Sequence, residues 1–133
     1  MAHKVYTKDV LDKLGVKPDS KVAVLGVKDA GFLSDLRART ADVSLGRLRD
    51  DLDFIFCAAD SGAELAKLDR LKGRLKPGGA IWVVSLKGKA ARIKDVDVIA
   101  AAKAAGLVDT KVVAFSDTHT SLKLVIPVER RSG

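Results

Sequence analysis

The sequence predicts a three-layer α/β fold: a mainly parallel sheet with helices on both faces, closed by a C-terminal antiparallel hairpin. Short apolar runs suited to buried strands recur at residues 21–27, 53–59 and 80–86, and stretches with helical spacing stand between them. Gly, Pro, Ser and Asp punctuate the boundaries where caps and turns are needed. The last two candidate strands, 111–116 and 121–128, are separated only by Asp117-Thr118-His119-Thr120. That gap is too short for a helical crossover and right for a hairpin.

Each element follows from local chemistry. Residues 1–15 read as an N-terminal helix, capped by Thr7, that lids the core with Val10, Leu11 and Leu14 and stops at Gly15. Lys17-Pro18-Asp19-Ser20 is a turn into the first strand. Gly26 and Gly31 bracket Val27-Lys28-Asp29-Ala30, a loop leading to a helix over 32–39 and the natural place for a ligand. Residues 41–45 make a weaker second strand. The charged connector 46–51, with Arg47 and Arg49, is too short for a further strand and helix.

After the strand at 53–59, Ser61 and Glu64 form a capping box. The helix it opens carries Leu65, Leu68, Leu71 and Leu75 on one face, and Lys67, Arg70 and Arg74 beside them read as a solvated, dipole-favoured stripe. Pro77 disfavours helical geometry at Lys76, and Gly78 and Gly79 accept unusual backbone angles, so this helix is expected to run to the Pro-Gly-Gly turn. The central strand then begins at Ala80. Lys87-Gly88-Lys89 opens a basic loop, Asp95 or Asp97 caps an Ala-rich helix through Ala105, and Gly106 stops it. Residues 129–133 are expected to be a frayed tail, and 1–133 a single domain.

Composition narrows the functional classes. A hydrophobic content of 47% excludes wholesale disorder. The net charge of +7 favours an anionic small molecule or a protein as partner; four Phe, one Tyr and one Trp are too few for a base-stacking series, which ranks nucleic acid lower. The single Cys57 sits in an apolar run and reads as a packed thiol, consistent with a cytoplasmic, reducing location. No run reaches the length of a membrane span, and two distant histidines with one cysteine give no metal-ligand spacing.

Residues 14–26, Leu-Gly-Val-Lys-Pro-Asp-Ser-Lys-Val-Ala-Val-Leu-Gly, resemble the entry to class I S-adenosylmethionine-dependent methyltransferases. Residues 75–85, Leu-Lys-Pro-Gly-Gly-Ala-Ile-Trp-Val-Val-Ser, resemble their helix, Pro-Gly-Gly turn and following strand. The resemblance implies a Rossmann-like sheet, here with one of the usual seven strands missing at the short connector. It also implies a Gly-x-Gly-x-Gly loop after the first strand and an acid after the second. Here Gly26-Val27-Lys28-Asp29-Ala30-Gly31 matches well only at Gly26, and no acid follows Leu45. The chain is more closely similar to a family of short bacterial proteins of unknown function that look like trimmed methyltransferase domains. Residues 75–85, Lys87-Gly88-Lys89, 106–112 and 117–124 carry that similarity, with His119 where Trp is common in the family.

In an open α/β sheet, ligands collect beyond the carboxyl ends of the strands. Candidate cofactor-binding residues there are Gly26, Lys28, Asp29, Gly31, Asp60 and Ser61. Lys87, Gly88, Lys89, Thr118 and His119 are candidate anion-binding residues. No residue stands out as catalytic or metal-binding. The reading that follows is a non-catalytic methyltransferase-like domain with a binding or regulatory role and no resident cofactor. Its alternatives are an S-adenosylmethionine-dependent methyltransferase with an atypical loop and a basic nucleotide- or nucleic-acid-binding module.

Overall fold

The computed structural model describes residues 10–130, so expectations placed on 1–9 and 131–133 lie outside the described residues. Six strands form one sheet in the order β2-β1-β3-β4-β6-β5. These are β1 (Val22–Leu25), β2 (Val43–Leu45), β3 (Leu52–Ala58), β4 (Leu75–Leu86), β5 (Val108–Ala114) and β6 (His119–Val125). Strands β2, β1, β3 and β4 run parallel, while β6 is antiparallel to both β4 and β5. The helices are α1 (described over 10–14), α2 (Ala30–Arg39), α3 (Gly62–Leu65), α4 (Leu68–Lys72) and α5 (Asp95–Ala104).

The sheet is covered on both faces, which is why β3 and β4 are nearly continuous apolar runs. Under α1 and α2 lie Leu14, Leu36, Phe56 and Trp82, all fully buried. Trp82 donates its indole N–H to the Leu14 carbonyl at 3.2 Å, so the one polar atom of that side chain is satisfied inside the core. Under α3, α4 and α5 lie Ile55, Ile81, Leu68, Leu71 and Leu124. At the amino ends of the strands Asp53 accepts from Lys21 N at 2.8 Å and pairs with Lys76 at 3.2 Å, tying β1, β3 and β4 together.

The long helix expected from Glu64 to the Pro-Gly-Gly turn is two short ones, α3 and α4, and Gly73 ends the second. Pro77, Gly78 and Gly79 lie inside β4. The register jumps from Leu52↔Leu75 to Phe54↔Ala80, so Asp53 alone faces residues 76–79 across a bulge. Neither Gly78 nor Gly79 has positive φ. Gly79 is required for another reason: a Cβ there would sit 2.7 Å from the Leu52 carbonyl oxygen. The hairpin strands also start earlier than expected, at Val108 and His119, and residues 128–130 form a 3-10 turn where a frayed tail was expected to begin.

Candidate functional site

The carboxyl edge of the sheet is built from three loops. After β1, Gly26 turns the chain at φ +81°, and Asp29 caps α2. The Asp29 carboxylate accepts from Phe32 N at 3.0 Å and its carbonyl from Leu33 N at 3.0 Å. Between them Val27 turns inward and packs with Phe32 and Phe115 in the α1/α2 core, only 8% exposed. The loop is thereby anchored at both its side-chain and backbone groups.

After β3, Asp60 accepts from Leu86 N at 2.9 Å, bridging the ends of β3 and β4. Its own amide donates to Glu64 Oε1 at 2.7 Å, and Ser61 Oγ accepts from Glu64 N at 3.2 Å. The expected capping box is present but reaches one residue further back, to the amide of Asp60. At the hairpin, Ser116 Oγ accepts from His119 N at 3.1 Å, and Thr118 Oγ1 lies 2.8 Å from His119 Nδ1. That contact fixes one ring nitrogen and leaves Nε2 without a partner among the described residues. The Lys87 amide donates to the Thr118 carbonyl at 3.1 Å, pinning the hairpin to the end of β4.

The loop after β1 and the hairpin border a cavity of about 330 Å³ on the α2 face. Lys28 and Asp29 form one rim, and Thr118 and His119 the other; Gly26 and Val27 complete the first side. Ala58, Val84 and Phe115 make an apolar floor. An apolar floor with a cation, a carboxylate, a hydroxyl and an imidazole around it can take a small molecule and fix its orientation.

The structure therefore brings Gly26, Lys28 and Asp29 together with Thr118 and His119, which the sequence had placed in two separate groups. It does not bring the others there. Gly31 lies in the first turn of α2, Asp60 and Ser61 are committed to local hydrogen bonds, and Lys87 leads into a 3-10 turn, formed by Gly88, Lys89 and Ala90, outside the cavity. The floor residues were not singled out from the sequence. Phe115 carries the one legible signal, an aromatic residue at the strand-to-turn boundary of the hairpin. Among the described residues no group of His, Cys, Asp and Glu could hold a metal ion, and no helix is long and apolar enough to cross a membrane.

Solved structures with a similar fold include methyltransferases. A S-adenosylmethionine-dependent methyltransferase from Aquifex aeolicus shares 18% identity at a TM-score of 0.71, over 91% of this chain and 89% of that one. Magnesium protoporphyrin IX methyltransferase from Synechocystis, solved with bound S-adenosylmethionine, shares 12% identity at a TM-score of 0.67, over 94% and 80%. An O-methyltransferase of neocarzinostatin biosynthesis shares 14% at 0.65; the chain is 94% covered but spans only 57% of that protein. Identities this low establish the fold alone, a class I methyltransferase-like α/β sheet ending in β4-β6-β5 with β6 antiparallel. No curated protein matches the chain by sequence. The family model described as "Protein of unknown function (DUF3052)" matches residues 11–128, and the chain belongs to that family.

Proposed function

We propose that this protein is a binding or regulatory domain on a methyltransferase frame, taking a small molecule in the cavity between Lys28-Asp29 and Thr118-His119, and that it does not itself transfer methyl groups. The loop after β1 carries the reading. A methyl-donor loop needs glycines so that backbone can approach the cofactor. Here Val27 fills the core, Asp29 is spent on capping α2, and Gly26 is the one glycine of the loop with positive φ.

The exit of β2 supports the same conclusion. Leu45-Gly46-Arg47 offers a cation where the resemblance implies a carboxylate for the ribose hydroxyls. The acids nearest in sequence are engaged elsewhere, Asp42 with Arg49 at 2.6 Å and Asp50 with Arg74 at 2.7 Å. The residues present do not fit S-adenosylmethionine.

The test is a thermal-shift series with S-adenosylmethionine, S-adenosylhomocysteine, ATP and phosphate. A ligand at a hundredfold excess over its Kd adds about 2.7 kcal/mol to the folded state, a shift easily read. The two S-adenosyl compounds are expected to leave the midpoint unchanged. A shift confined to them would instead support the methyltransferase reading, which the likeness to S-adenosylmethionine-bound structures favours.

A further inference from the structure

A second cavity lies on the opposite face of the sheet. It has a volume of about 440 Å³ and meets the first only at Gly26 and Ala58. Its walls are apolar: Leu25, Leu48 and Leu71, with the buried Cys57 between them. Gly46 opens its mouth at φ +71°, and a Cβ there would meet nothing within 4 Å.

The mouth is cationic. Lys67 and Arg70, three residues apart at the start of α4, both line the cavity and both are exposed. That spacing places them on one side of the helix. Among the described residues neither side chain has an ion-pair or hydrogen-bond partner. Glu64 is the one acid on the lining, and its Oε1 accepts from Asp60 N at 2.7 Å and from Ser61 Oγ at 3.3 Å. Its carboxylate is thus held at the α3 cap. Lys67 stands near enough to the Cys57 thiol for its charge to oppose the effect of burial there.

We infer that this cavity is a second binding site, for a compact apolar, aromatic anion whose ring body lies against Leu25, Leu48 and Leu71 and whose carboxylate, sulfonate or phosphate meets Lys67 and Arg70. The Leu25, Leu48 and Leu71 side chains offer no hydrogen-bonding groups, so they suit a hydrocarbon ring. Two unpaired cations at the mouth give the anion charge-assisted hydrogen bonds, with the guanidinium able to engage two oxygens at once. The site lies on the other face of the sheet from the cavity that holds His119 and shares only Gly26 and Ala58 with it.

The probe is biphenyl-4-carboxylate, followed by methyl NMR, with biphenyl-4-methanol as its neutral counterpart. The acid should shift the methyl signals of Leu48 and Leu71 and leave those of Val27 and Val84, in the other cavity, in place. Changing Lys67→Gln and Arg70→Gln together should weaken the acid about tenfold while leaving the alcohol's weaker binding unchanged. Both positions are exposed, and an unchanged unfolding midpoint in the variant shows that the fold survives. The inference is overturned if the acid gives no shifts at saturating concentration, if the shifts fall at Val27 and Val84, or if the double variant binds the acid as tightly as the parent.

Discussion

Gly79 and Cys57 show how single residues are held to their identity. At Gly79 the constraint is space: β3 carbonyls close over the bulge, and any side chain must push them away. Gly79→Ala is expected to lower stability by about 1–3 kcal/mol, the usual cost of overpacking, as read by urea unfolding. Cys57 is constrained by burial, which raises its thiol from an ordinary 9.0 to about 11, with Lys67 opposing the rise and Glu64 adding to it. Above pH 9 the unfolded chain loses this proton while the folded chain keeps it. Stability therefore falls between pH 9 and about 11 and then levels off. Lys123, whose ammonium is driven down by burial and by the facing Lys111, titrates with the opposite sign in the same region. Comparing the protein with Cys57→Ala removes that background. Their stability difference should shrink by roughly 3 kcal/mol across the window, and an unchanged difference would mean that the thiol is solvated.

At the scale of elements, the short α3 is held by its first turn: Ser61 accepts from Glu64 N, and Glu64 reaches back to Asp60 N. Ser61→Ala should cost about 1 kcal/mol in urea unfolding, and an undetectable loss would mean that Asp60 and Glu64 alone fix the turn. The capping pair was legible because Ser-x-x-Glu before an apolar run is a local signal. The helix end was not. Leu65, Leu68, Leu71 and Leu75 keep helical spacing straight through the break, so the pattern alone runs on to Pro77, whereas the chain stops at Gly73 and Leu75 enters β4. What decides it is pairing with Leu52, a contact between distant residues. β5 was read too short for a related reason. As an edge strand with Val108, Asp109, Thr110 and Lys111 largely outside the core, it lacks the apolar run that marked β3 and β4.

For the molecule as a whole, the fold was legible because the strands buried on both faces announce themselves, and the short connector 46–51, with no room for a further strand and helix, agrees with the six-stranded sheet, in which β2 lies at the edge. The site was half legible. The rule that ligands collect at the carboxyl ends of the strands put Lys28, Asp29, Thr118 and His119 on one edge. It could not tell that Asp60 turns to the Leu86 amide, or that Lys67 and Arg70 border a cavity; read as a helix stripe with Arg74, they looked solvated. Arg74 alone of the three is paired, with Asp50. The family membership leaves the activity open, and the loop after β1 decides between the competing accounts. The most direct test is calorimetric titration of the protein with S-adenosylhomocysteine at millimolar concentration. No heat of binding is the result expected from a loop closed by Val27 and Asp29. Saturable binding, abolished by Gly26→Arg in a variant that still folds, would contradict it and make the chain a cofactor-binding methyltransferase domain.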